Sequence, residues 1–183
     1  MTLAVLGLCT MVCACASDNA RVDGRARQGQ DELPAHVVTA APLTISVDLD
    51  DQTRRELERR LSAGSLTVAR LMIRDVRSQA AQALKGVRIF IEKPDADVRT
   101  SVDDAHYASS FVLGLTSPES MLLNVAPTLT RLSKSGELTS EKLNQQKAIR
   151  ITFVPEPWDF ARRLPPDFAL TMAGVALEIP QQP

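Results

Sequence analysis

Residues 43–50, LTISVDLD, alternate without a break: Leu43, Ile45, Val47 and Leu49 fall on one side, Thr44, Ser46, Asp48 and Asp50 on the other. A period of two over eight residues is the signature of a strand with one face in a core and one in water. The pattern returns along the chain. In residues 66–76 Ala69, Leu71 and Ile73 point inward, with Arg70 and Arg74 outward. In GVRIFIEKP, residues 86–94, Val87, Ile89 and Ile91 share one face. Phe90 shares the other with Arg88 and Glu92, a face expected to be partly exposed. Pro94 ends that strand, because proline donates nothing to a ladder. Residues 106–115, HYASSFVLGL, put Tyr107, Phe111 and Leu113 on one side and His106, Ala108 and Ser110 on the other. AIRITFVP, residues 148–155, directs Ile149, Ile151 and Phe153 inward. The last segment, residues 168–179, changes phase at Gly174, from Phe168, Leu170 and Met172 to Val175, Leu177 and Ile179, as a bulge requires. Strands with one wet face belong to antiparallel sheets. Six or more of them predict an all-β protein, a two-sheet antiparallel sandwich.

Two short helices are expected in the connections. DDQTRRELERRLSAG can be capped by Asp50 or Asp51, stacks Leu57 over Leu61, and stops at Gly64; its many Arg and Glu read as a solvated face. Residues 124–136 place Pro127 in a first turn, Leu129 and Leu132 three apart, and Gly136 as terminator.

The three cysteines, Cys9, Cys13 and Cys15, all lie near the N-terminus. Residues 3–14 form an apolar run too short to span a bilayer but of the length of a signal-peptide core. It ends in VCACASDN, which resembles a bacterial lipobox. Residues 1–14 are therefore read as a lipoprotein signal peptide and Cys15 as the lipidated residue, with Cys13 the second choice. No Lys or Arg precedes the run, where a signal peptide carries positive charge. Residues 15–42, polar and aperiodic, are expected to be a flexible tether in which His36 is simply solvated, and residues 43–180 the folded domain. Ala16 and Ser17 lack the acidic residue associated with inner-membrane retention. The expected location is thus the periplasmic face of the cell envelope, anchored by lipid, with the outer membrane preferred.

Several chemistries are set aside. A net charge of −1 could not neutralise a row of phosphates, so nucleic acid is not an expected partner. Two His, one of them in the tether, do not build a catalytic triad or a histidine metal cluster. Asp103, Asp104 and His106 read as an acidic turn before a strand rather than a metal site. No cofactor is expected in the chain itself.

Beyond these local patterns, the order of segments resembles a known family. Residues 71–114, then LNVAPTLTRLSKSG, then AIRITFVPEP and FALTMAGVALEI, are similar to the C-terminal β-sandwich domain of tyrosinases, other polyphenol oxidases and molluscan haemocyanins. That family shows a strand ending VFxNxPxA, a strand HYAGSFxxFG, a TxxLxxL helix, and closing strands with xVPxP and xxxVxLE. The match covers roughly residues 43–180. Four positions depart from it: Glu92 stands where the family has Asn, Ser109 where it has Gly, Leu113 stands nearest the second Phe, which has no match, and Gly114 arrives one residue early.

The resemblance implies a role beside an enzyme. In the family this sandwich covers the dicopper pocket of a helical domain, shields it from substrate, and supports folding or copper loading. The present chain has no histidine set for such a pocket. The expectation is a non-catalytic accessory domain that shields, matures or anchors a separate type-3 dicopper phenol oxidase, which would carry the copper. The alternative is a lipid-anchored envelope module with an unrelated protein or glycan partner. Contact candidates are Trp158 and Phe160 in the proline-rich loop PEPWDFARR, and His106 and Tyr107 at the start of their strand. For Tyr107 the structural alternative is a core position, and for Trp158 a lid over the open end of the sandwich.

Overall fold

The computed structural model describes residues 35–78, 83–113, 119–158 and 163–180. Among them lie nine strands and three helices: β1 His36–Val38, β2 Leu43–Asp48, α1 Asp51–Ser62, β3 Arg70–Ser78, β4 Leu84–Ile91, β5 Tyr107–Phe111, β6 Glu119–Asn124, α2 Ala126–Lys134, α3 Ser140–Gln146, β7 Ala148–Pro157, β8 Leu170–Met172 and β9 Gly174–Glu178. Every strand pair is antiparallel. One sheet runs β2-β7-β4-β5; the other runs β1-β8-β3-β6, with β9 following β8 along the same side of β3. The fold is the two-sheet antiparallel sandwich expected from the alternation.

The core is made by the inward sets of both sheets. Leu71, Ile73, Ile89, Phe153, Leu170 and Met172 have no exposed surface. β7 lies at the centre of its sheet, with Phe153 opposite Leu43 on one side and Ile89 on the other. The phase change at Gly174 is a break at Ala173, whose N–H bonds Arg74 O at 2.9 Å. β3 answers with its own bulge between Ile73 and Val76, at Asp75, where φ is 49°. Both strands thus change face together, and Ile73 and Val76 stay buried.

Helix α1 starts at the Asp50 carboxylate, which accepts from Gln52 N and Thr53 N at 2.8 Å each. It buries Leu57, and Gly64, at φ 62°, follows its end. One basic residue is not on the solvated face. Arg60 is 2% exposed; its Nε donates to Glu56 Oε1 at 2.5 Å and its guanidinium to Pro180 O at 2.8 Å. Arg59 and Arg60 together hold the Glu56 carboxyl down at about 2. The aliphatic stem of Arg60 packs inward while its head fastens the end of the final strand to α1.

Four other expectations are corrected. Residues ahead of Leu43 also join the sheets. His36 is no tether residue: β1 pairs His36, Val37 and Val38 with Met172, Thr171 and Leu170, and buries Val38 completely. The outer face of β4, expected to be only partly exposed, is more fully covered than that. Arg88 and Phe90 are buried there, because the 93–106 connection folds back over them and places Ala96 against Phe90 and Val154; Glu92, just past the strand, is buried against Arg150 and Lys142. Tyr107 and Phe111 do not share a face. Ile89 pairs with Ser109 but Phe90 with Tyr107, so β5 carries one extra residue, Ala108. Phe111 enters the main core, and Tyr107 joins the small outer cluster with Phe90. Finally, there is a third helix, α3, capped by Thr139 Oγ1 on Lys142 N. The residues read as a signal peptide, Cys15 and residues 15–34 of the expected tether lie outside the described residues.

Candidate functional site

The outer cluster on β4 and β5 forms the floor of the candidate site. Tyr107 meets Phe90 edge to face, with ring centroids 5.7 Å apart and planes at 66°. The Arg88 guanidinium stands 6.0 Å from the Phe90 centroid. Arg88 is pinned in place, donating to Thr100 O at 2.5 Å and Val98 O at 2.7 Å. These two bonds hold the 93–106 connection on the sheet. Gly86 permits β5 to lie close: a Cβ there would stand 2.8 Å from the Phe111 carbonyl oxygen, a backbone atom with no room to yield.

Above this floor is a concavity of about 400 Å³. It is lined by Tyr107 and Phe111 of β5, by Val102 and Val112, and by Trp158 just past the end of β7. Its rim is apolar and open to water: Trp158 is 64%, Val112 65% and Val102 51% exposed. Lys85 and Glu156, paired at 3.2 Å, form a polar edge. Isolated exposed apolar residues mean little, but here three large ones surround one hollow.

The structure therefore brings Trp158 and Tyr107 together, Trp158 on the rim and Tyr107 in the floor. Phe160 lies outside the described residues. His106 takes no part in the concavity: its Nδ1 lies 2.7 Å from Ile91 O and its Nε2 2.8 Å from Glu137 Oε2. The Asp-rich turn is held by ordinary bonds. Asp104 Oδ1 accepts from His106 N at 2.9 Å, and its Oδ2 stands 3.4 Å from Lys93 Nζ. Burial acts to raise the Asp104 carboxyl, but the His106 N–H and Lys93 outweigh it and hold it low. No group of His, Cys, Asp or Glu suited to a metal ion occurs among the described residues.

Val102 and Val112 are the site residues that sequence reasoning missed. Val112 could have been suspected. In FVL, residues 111–113, three apolar residues follow one another, and strict alternation cannot bury all three.

Two other hollows carry less chemistry. An open groove of about 890 Å³ beside α1 has a charged lining in which Glu56 pairs with Arg59 and Arg60. An apolar cleft of about 500 Å³ is lined by Pro155, Pro157, Leu164 and Pro166.

Comparison with solved structures finds polyphenol oxidases. A latent aurone synthase (polyphenol oxidase) from natural source matches at 14% identity and TM-score 0.46, over 78% of this chain and 26% of that one. Latent apple tyrosinase matches at 16% identity and TM-score 0.48, over 79% of this chain and 27% of that one. The chain is similar to one part of a polyphenol oxidase. It spans about a quarter of the length of the oxidase chains it matches. No family model and no curated protein matches the sequence.

Proposed function

We propose that this chain is a non-catalytic accessory domain that docks on a separate type-3 dicopper phenol oxidase in the cell envelope, with the Trp158 concavity as its contact surface. The observation that carries the reading is the exposed ring of Trp158, Val102 and Val112 on a floor fixed by Arg88 and Phe90. A large aromatic held at the edge of a preorganised hollow is the kind of residue that dominates protein interfaces. The sequence resemblance to a domain that covers a dicopper pocket supplies the class of partner.

The test uses the full tagged chain, immobilised and exposed to a detergent extract of the native envelope. The eluate is assayed for copper and catechol oxidation. Recovery of a catechol-oxidising copper protein supports the reading; an eluate without one sinks it. Retention on a polysaccharide affinity gel instead would make the chain the alternative, a glycan-binding envelope module. Trp158→Ala is expected to weaken capture by about thirtyfold or more, the effect of losing an interface anchor. Because Trp158 is exposed, the same change should leave unfolding free energy within about 0.5 kcal/mol of wild type. A loss of capture accompanied by a large loss of stability would argue for a lid and against a contact.

Attachment through lipid on Cys15 is part of the proposal. Cys15→Ser is expected to abolish incorporation of radiolabelled palmitate and to move the protein from the detergent phase to the aqueous phase. Undiminished labelling of Cys15→Ser would transfer the role to Cys13 or remove the anchor from the proposal.

A further inference from the structure

The contacts of His106 require more hydrogens than a neutral ring possesses. Its Nδ1 faces the Ile91 carbonyl oxygen at 2.7 Å, and a carbonyl only accepts. Its Nε2 faces Glu137 Oε2 at 2.8 Å, and an ionised carboxylate also only accepts. Both contacts are hydrogen bonds only if both nitrogens carry hydrogen, which makes the ring a cation. A neutral ring that keeps Nδ1–H presents a lone pair to the carboxylate. The other tautomer turns its lone pair on Ile91.

The backbone decides which side yields. Ile91 N–H donates to His106 O at 2.9 Å, and His106 N–H to Asp104 Oδ1 at 2.9 Å, so the histidine is fixed to the end of β4. Glu137 is the looser partner. Its side chain is 44% exposed and sits in the turn between α2 and α3, where Ser135 Oγ donates to Oε1 at 3.1 Å.

We infer that His106 and Glu137 form a protonation-dependent latch: the imidazolium ties the α2–α3 turn to the end of the β4–β5 pair, and the neutral ring releases it. The surrounding charges are those of every element packed there. Asp104, from the same loop, is paired with Lys93. Lys142 of α3 donates to Glu137 O at 3.0 Å and lies 3.1 Å from Glu92. Arg131 of α2 donates to Ala105 O at 2.7 Å. The variable of the latch is the second proton on the His106 ring, and the relevant range is the one in which imidazoles titrate. The contact holds below that range, as long as Glu137 stays ionised, and opens as pH rises through it.

The full-length protein is examined by NMR at about pH 5.5 and about pH 8, the two sides of imidazole titration. At the lower pH both His106 ring nitrogens are expected to be protonated. The Glu137 and Leu138 amides, both bonded to Leu132 O, report on the turn. Their protection against hydrogen exchange, corrected for intrinsic rates, is expected to fall on the order of tenfold at the higher pH, the scale of one charge-assisted hydrogen bond. Glu137→Gln removes the dependence, since its amide can donate to a neutral Nε2 and accept from a protonated one. The variant is expected to fold, its side chain being largely in water. A ring that stays neutral at the lower pH overturns the latch. So does unchanged protection of Glu137 and Leu138 in the wild type, or a Glu137→Gln protein that responds to pH as the wild type does. His36, the other histidine, gives its own NMR signal and serves as the control.

Discussion

Phe153→Ala is expected to lower the unfolding free energy by about 3–5 kcal/mol, the range for emptying a fully buried aromatic site. Phe153 is wholly inaccessible and sits mid-strand on β7, flanked by Leu43 of β2 and Ile89 of β4. Neighbouring strands cannot collapse into the vacated space without breaking their ladders. The cavity term therefore adds to the lost transfer energy. For a chain of this size the loss corresponds to a fall in melting temperature of roughly 10 °C. Far-UV circular dichroism during thermal and urea unfolding measures it. The single tryptophan is a poor probe for the purpose, because Trp158 is already 64% exposed in the folded state. A loss below about 1 kcal/mol would mean that the sheets do not meet tightly at this point.

Glu92→Ala is expected to be the most damaging polar change. Glu92 lies at the end of β4 with φ 56°, a backbone region that disfavours a long side chain. It is held there by its bonds. Oε1 accepts from Arg150 N at 2.8 Å; Oε2 accepts from Arg150 Nη2 at 2.9 Å and lies 3.1 Å from Lys142 Nζ. Removing a fully buried ion-pair partner can be worth about 3–5 kcal/mol, because the other charge is stranded. Here Arg150 and Lys142 are 38% and 29% exposed and can return to water, so about 2–3 kcal/mol is expected. The resembling family has Asn at this position, and Asn accepts a left-handed backbone more readily than Glu. Glu92→Asn should therefore fall between wild type and Glu92→Ala.

The acid limb gives an independent reading of the same residue. Burial acts to raise the Glu92 carboxyl, but the Arg150 N–H, the Arg150 guanidinium and Lys142 outweigh it and hold it below its ordinary 4.5. A carboxyl depressed by folding contributes stability that is complete above its unfolded pKa and is lost as pH falls through the folded one. Glu92→Ala should remove that part of the acid sensitivity, giving a shallower decline of stability below about pH 4.5. An unchanged acid limb would place the proton uptake elsewhere.

Much of the architecture was legible in residue spacing, because one-sided strands leave a period of two. β2 and the inner half of β7 read directly from Leu43–Ile45–Val47 and Ile149–Ile151–Phe153. The bulge near Gly174 was legible because the apolar phase changes there. What failed to show was whatever depends on contacts far along the chain. Nothing local says that the 93–106 connection returns to bury Phe90 and Arg88. Nothing local marks Ala108 as the extra residue that turns Tyr107 away from Phe111. β6 is obscured by the run Met121, Leu122 and Leu123, of which Leu122 faces water at 56% exposure. α3 is obscured by polarity, with Leu143 its one buried residue. In the candidate site, Trp158 was visible as the one tryptophan of a proline-rich loop, but Val102 and Val112 become its neighbours only through the fold.

The way the chain enters the domain has a mechanical meaning. A pull arriving through the residues before His36 meets β1 first. That strand is held by three pairings with β8, whereas β2 behind it is held by six with β7. Under tension β1 is the weak link, and its release lengthens the leash by the residues up to Leu43 while the β2-β7-β4-β5 sheet stays closed. A stretched molecule would thus yield in two stages, a short low-force extension followed by rupture of the sandwich at higher force. The first stage spares the Trp158 hollow, which is built on the sheet that the pull reaches last.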